Sequence, residues 1–219
     1  MLYTMEPRKK AERILDILEG EMPEASTELR FSTPLELLVA TILSAQCTDE
    51  RVNRVTASLF RRYSSAADYA AEEPERLAEA ISSINFYRNK AASIRRCCEK
   101  LVREHGGRVP DSLEELIRLP GVGRKTANIV LGNAFGRDAL AVDTHVKRVA
   151  RRLGLTKSER PDDIERDLCA LIPKRRWTKA THLLILHGRR TCKARSPQCA
   201  RCAVSSLCDY HRTGRRQET

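Results

Sequence analysis

Leu116-Ile117-Arg118-Leu119-Pro120-Gly121-Val122-Gly123-Arg124-Lys125-Thr126-Ala127 reads as two helices joined by a tight turn. Just upstream, Ser112-Leu113-Glu114-Glu115 has the pattern of a capping box, and Pro120 stops the short helix that it starts. The glycines allow the backbone dihedrals of such a turn, and a run rich in Ala, Val and Leu resumes the helix after it. They also leave backbone amides uncovered. The N–H groups of Gly121 and Gly123, with Arg124 beside them, therefore suit a phosphate at a helix N-terminus. A phosphate held this way positions a duplex without reading its sequence. An ordinary hairpin between core helices fits the turn as well, so the turn alone does not assign a function.

Outward from the hairpin, the helical signals continue. Thr33-Pro34-Leu35-Glu36 is a second capping box with proline at the first helical position, followed by Leu35, Leu38, Val39, Ile42 and Leu43 at helical spacing. Thr48 caps a helix whose apolar positions include Val52, Val55 and Leu59, and further helices are expected over 74–84 and 89–104. Sustained strand-like alternation, internal repeats and low-complexity linkers are not found. The expected fold class is all-α.

Forty Lys and Arg against 29 Asp and Glu give a formal net charge of +11, which favours a polyanionic partner through counterion release but does not choose between DNA and RNA. Apolar runs such as 183–186 are too short to cross a bilayer, so no membrane partner is expected. The opening MLYTMEPRKK has no apolar stretch of a secretory signal, and a cytoplasmic protein with reduced thiols is expected.

Lys125 falls in the first turn of the second hairpin helix, where the macrodipole and Arg124 both disfavour a cation and so favour the neutral amine, the form able to attack carbon. A surface lysine contacting phosphate is the plainer alternative. Asp143, in Ala141-Val142-Asp143-Thr144-His145, is well placed as a helix N-cap. The same carboxylate could stabilise a cationic sugar transition state or help to deprotonate a lysine.

Of eight cysteines, four crowd the C-terminal part as Cys192-x6-Cys199-x2-Cys202-x5-Cys208. Four thiolates from one compact loop can hold a 4Fe–4S cube, and zinc is the competitor, although zinc modules usually separate two close pairs by a longer spacer. With every ligand a protein cysteine, no coordination site stays open to substrate. Lys193 and Arg195 between the first two cysteines would be presented to phosphates. Cys47, Cys97, Cys98 and Cys169 fit helical positions as core or partly buried thiols.

Together, LPGVGRKTAN, AVDTH, the cysteine spacing, ILSAQCTD at 42–49 and HLLILHGRRTC at 182–192 resemble the endonuclease III family of bifunctional DNA glycosylases, in the helix-hairpin-helix superfamily. The resemblance runs from about Thr33 to Tyr210. It implies a six-helix barrel domain with the hairpin over 27–137, and a discontinuous iron–sulfur domain from 1–26 and 138–219, with DNA bound across the groove between them. It implies a monomer acting on double-stranded DNA that contains oxidised pyrimidines or abasic sites. Lys125 matches the lysine that attacks the sugar C1′, expels the base and permits β-elimination through a Schiff base, and Asp143 matches the family's aspartate. A related adenine glycosylase branch lacks the lysine. The resemblance assigns Gln46 to filling the gap left by a flipped nucleotide. It assigns the Ile84–Lys90 stretch to a second wedge, where Asn85 stands in place of a common glycine and Phe86 in place of a frequent leucine. A glycosylase with another lesion or mismatch preference, a non-catalytic DNA-binding module and an electron carrier are the competing readings.

Overall fold

The computed structural model describes residues 5–213, and every regular element among them is helical. The chain forms two compact units, one over 27–137 and one that joins the segment ending at Ser26 to the chain from Asp138 onward. In chain order, α1 (Pro7–Glu21) belongs to the second unit. Helices α2 (Pro34–Leu43), α3 (Asp49–Arg62), α4 (Ala66–Ala71), α5 (Pro74–Ala80), α6 (Tyr87–His105), α7 (Leu113–Leu116) and α8 (Arg124–Ala134) build the first. The second is completed by α9 (Thr144–Leu153), α10 (Pro161–Leu171), α11 (Trp177–Arg190) and α12 (Asp209–Thr213).

In the 27–137 unit, α2 is buried at every position from Leu37 to Leu43, so it has no solvent face and acts as the central rod. Helices α3, α6 and α8 pack against it, and α4 and α5 pack against α6. The capping signals start helices where the sequence places them, with one difference in detail. Thr33 Oγ1 accepts from Glu36 N–H, but the Glu36 carboxylate takes the N–H of Ser32 rather than that of Thr33. At Ser112 the hydroxyl accepts from Glu115 N–H and donates to the Glu115 carboxylate, so this box too lacks the expected return bond. The expected helix over 74–84 stops at Ala80. Leu77, Ile81 and Ile84 all reach the core, but Ile81 and Ile84 do so through tight i→i+3 turns that mimic helical spacing. Helix α6 starts two residues earlier than expected, at Tyr87. Cys47 lies in the turn after α2, not in a helix as expected.

In the second unit, α1 buries Ala11, Ile14, Leu15 and Leu18 on one face against α10 and α11. Each leucine or isoleucine so buried contributes about 1.5–3 kcal/mol. Arg176 pairs with Asp16 at 2.6 Å and Glu19 at 2.8 Å, and Lys179 Nζ donates to the carbonyls of Pro23 and Ala25. These bonds fix the N-terminal segment to α11, more than 150 positions away in sequence.

Gly154 ends α9 in the left-handed region at φ +75°, and a Cβ there would meet Asp209 Oδ2 at 1.8 Å, inside the Lys10–Asp209 pair. Gly154→Ala should cost about 1–3 kcal/mol through strain and displacement of Asp209. Lys10→Ala, which loses only a partly exposed ion pair, should cost under about 1 kcal/mol. Urea unfolding followed at the single tryptophan, Trp177, checks both; equal losses would assign the Gly154 effect to the ion pair.

Candidate active site and cysteine loop

The hairpin is anchored from below by apolar side chains. Leu116, Leu119 and Val122 are buried, and Val122 N–H donates to the Leu119 carbonyl across the turn. Gly121 has φ +76°, and a Cβ there would lie 2.9 Å from Ser93 Cβ on α6, so conformation and packing both demand glycine. Gly123 differs: its φ is −88°, and a Cβ would project into open space. As the N-cap of α8 it supplies no side-chain cap, which leaves the first-turn amides open to an external acceptor. Arg124 and Lys125 follow as the first two helical residues, both exposed.

Asp143 caps α9 in the other unit. Its Oδ1 accepts from His145 N–H and Val146 N–H, both at 2.8 Å, so Oδ2 is not engaged by the cap. Burial holds the His145 imidazole below its usual pKa against the opposing pull of Asp143, and Arg148 adds to the lowering. Arg148 Nη2 lies 3.1 Å from His145 Nδ1.

Gln46 and Phe86 are both exposed, and both have left-handed backbone, at φ 53° and 58°. Neither is a glycine or asparagine, so each turn stores about 1–3 kcal/mol of strain. The two turns meet: Asn85 Nδ2 donates to the Gln46 carbonyl at 2.8 Å. Lys90, which sequence reading passed over, is buried and donates from Nζ to the carbonyls of Leu43 and Ala45 at 2.8 and 2.5 Å. Desolvation lowers its pKa.

The four C-terminal cysteines line one cleft, with Leu153, His187 and Tyr210 among its walls. Burial is the main cause that pushes the Cys202 and Cys208 thiols up, and the charges of Cys192 and Cys199 add to it. His187 Nε2 lies 3.7 Å from Cys202 Sγ, and burial pushes this imidazole down to about 4, so it is neutral near pH 7. Two arginines missed by sequence reading hold the loop. Arg152 is buried, reaches Cys192 Sγ at 3.5 Å and donates to the carbonyls of Lys193 and Ala194. Arg148 donates to the carbonyls of Cys192 and Gly188. The signal for them was their i,i+4 spacing on α9, which puts both on one face. Lys193 and Arg195 are exposed on the loop so held.

The geometry thus groups Gly121, Gly123, Arg124 and Lys125 on one hairpin, Gln46 and Phe86 on two joined turns, and the four cysteines around one cleft. Residues 39–174 match the HhH-GPD superfamily of base excision DNA repair proteins. Over 202 residues the chain is 52% identical to endonuclease III of Synechocystis sp., covering 92% of each chain. It is 48% identical to endonuclease III of Bacillus subtilis over 201 residues, 91% of this chain and 92% of that one. The fold matches the structure of a trapped endonuclease III–DNA covalent intermediate with a TM-score of 0.91 at 44% identity, covering 96% of this chain and 99% of that one. The chain belongs to the endonuclease III family. Endonuclease III enzymes are DNA glycosylases with AP-lyase activity, and this chain is an enzyme of that class in base excision repair.

The two glycines of this hairpin differ in conformation and packing, and substitution separates them. Gly121→Ala should lower stability by about 1–3 kcal/mol. Gly123→Ala should change stability by less than about 1 kcal/mol. It should also weaken duplex binding by about three- to tenfold, by crowding one amide contact. Thermal melts and fluorescence anisotropy with a labelled duplex measure the two effects.

Proposed function

We propose that this enzyme removes oxidised pyrimidines from duplex DNA and then cleaves the strand, with Lys125 as nucleophile and Asp143 as its partner. The observation that carries this reading is an exposed lysine in the first turn of a helix whose N-terminal amides have no side-chain cap. A phosphate docked on those amides beside Gly121, Gly123 and Arg124 would bring the backbone of the damaged strand to the amine. The Lys125 amine then forms a bond to C1′ as the C1′–base bond breaks, and the departing base takes up a proton. Ring opening gives a Schiff base, loss of a C2′ proton expels the 3′ phosphate, and water releases the lysine. Asp143, with Oδ2 outside its cap, serves to stabilise the cationic sugar or to help deprotonate the lysine. Gln46 and Phe86 fill the gap left when the damaged nucleotide is flipped out, and Lys193 and Arg195 grip flanking phosphates. The enzyme acts as a monomer in the cytoplasm, at the nucleoid in a prokaryotic cell. The choice of oxidised pyrimidines rests on family membership.

Cys192, Cys199, Cys202 and Cys208 fit a 4Fe–4S cluster. Four thiols and no carboxylate line one cleft. Held by four protein thiolates, such a cluster would supply structural and redox chemistry, with no open iron position for substrate. The Arg152 and Arg148 bonds set the loop that presents Lys193 and Arg195.

Borohydride should trap a covalent complex with duplex DNA carrying thymine glycol or an abasic site. Lys125→Ala should abolish the adduct while changing duplex affinity by less than about tenfold, since one phosphate-proximal charge among several is lost. An adduct that persists in this variant overturns the nucleophile. A panel of lesion duplexes, scored separately for base release and strand cleavage, tests the substrate class. Protein isolated without air should be brown, with about four iron atoms per chain. Stoichiometric zinc in colourless protein overturns the cluster.

A further inference from the structure

The turns that carry Gln46 and Phe86 are tied together by bonds that the glycosidic chemistry does not use. Asn85 Nδ2 donates to the Gln46 carbonyl at 2.8 Å, across 39 positions of sequence. Lys90 Nζ donates to the Leu43 and Ala45 carbonyls, while its own N–H donates to the Phe86 carbonyl at 3.1 Å. The Gln46 turn is therefore gripped at its main chain by the segment that carries Phe86, while the Phe86 carbonyl is held by the first turn of its own helix. The Gln46 and Phe86 side chains stay outside the grip, both exposed, Phe86 at 61%. Left-handed backbone at a glutamine and a phenylalanine persists only where the surroundings over-determine it, and these bonds do so.

The two ties act at different places. Lys90 is buried and holds the carbonyls at the end of α2 and at the entry to the Gln46 turn, so it serves the fold of the unit. Asn85 is exposed and acts on the Gln46 peptide itself, immediately beside Phe86 in sequence. Glycine at this position would offer no side-chain donor, so the tie is something that asparagine adds. We propose that Asn85 is a positioning residue that couples the Gln46 and Phe86 turns, so that both side chains enter a damaged base pair at a fixed mutual spacing. The proposal rests on the gap-filling role assigned above to those two residues. Asn85 touches neither the sugar nor the leaving base, and acts through Gln46.

The test is a double-mutant cycle on single-turnover base release from a thymine glycol duplex, using the intact enzyme, Asn85→Ala, Gln46→Ala and the double variant. Loss of one hydrogen bond that orders the turn should slow release from duplex by about three- to tenfold in Asn85→Ala. In the Gln46→Ala background the same substitution should add less than about twofold, because the side chain being positioned is gone. Cleavage of an abasic site in single-stranded DNA should be unchanged by Asn85→Ala, which also reports an intact fold and nucleophile. A 2-aminopurine beside the lesion should show a smaller fluorescence rise on binding to Asn85→Ala than to the unaltered enzyme. Full duplex activity in Asn85→Ala, equal losses in both backgrounds, or equal losses on single and double strands would each overturn the positioning role. If Gln46→Ala itself leaves duplex activity unchanged, the gap-filling reading fails, and this proposal fails with it. Loss in Gln46→Ala with none in Asn85→Ala overturns the positioning role alone.

Discussion

A helix with no solvent face must find donors for its last carbonyls inside the protein, and in the 27–137 unit one buried ammonium serves the final one and the turn that follows. Residues Leu37 to Leu43 of α2 are all buried, and Lys90 donates to the carbonyls of Leu43 and Ala45 just where the helix ends. The charge suits the negative end of the helix dipole, and each buried acceptor left unsatisfied would cost about 1–3 kcal/mol. Desolvation opposes the ammonium, and its two bonds to the carbonyls offset part of that cost. With its end fixed, α2 becomes the reference for what packs on it. Helix α8, which starts with Arg124 and Lys125, lies along it, and the Gln46 turn extends from it.

The second unit solves a related problem with arginines. A loop that winds through four cysteines has few regular hydrogen bonds of its own, so its carbonyls need outside donors. Arg148 and Arg152 provide them from one face of α9, reaching the carbonyls of Cys192, Lys193 and Ala194. The other end of α9 is capped by Asp143. One ten-residue helix thus carries the carboxylate at its N-terminus and the cysteine loop on its flank.

What could be read in the sequence were the features whose causes are local. Thr33, Thr48, Ser112 and Asp143 cap helices because the atoms involved lie two or three residues apart. The hairpin and the cysteine loop were legible for the same reason. Periodicity failed where a different backbone satisfied the same burial: Leu77, Ile81 and Ile84 keep helical spacing although the chain leaves the helix at Ala80. The left-handed turns at Gln46 and Phe86 carry no glycine to announce them. Lys90 looked like any lysine at the start of a helix, because its partners lie 45 and 47 positions away. Arg152 was hidden likewise, with its acceptors 41 and 42 positions downstream.

Net charge also means something narrower once the partners are known. The formal +11 suggested a polyanion, but it counts every lysine and arginine alike. Lys90, Arg148 and Arg152 are committed to carbonyls inside their units, and Arg176 to two carboxylates. Those cations are held by geometry and are poorly placed to exchange partners with a passing phosphate. Lys125, Lys193 and Arg195 are exposed at a helix start or on a loop whose main chain is already fixed by others. A side chain whose backbone is rigid loses less freedom when it meets a ligand, so fewer contacts suffice for tight binding. The buried cations therefore serve the DNA surface indirectly. By satisfying the carbonyls they order the turn and the loop from which Gln46, Lys193 and Arg195 project.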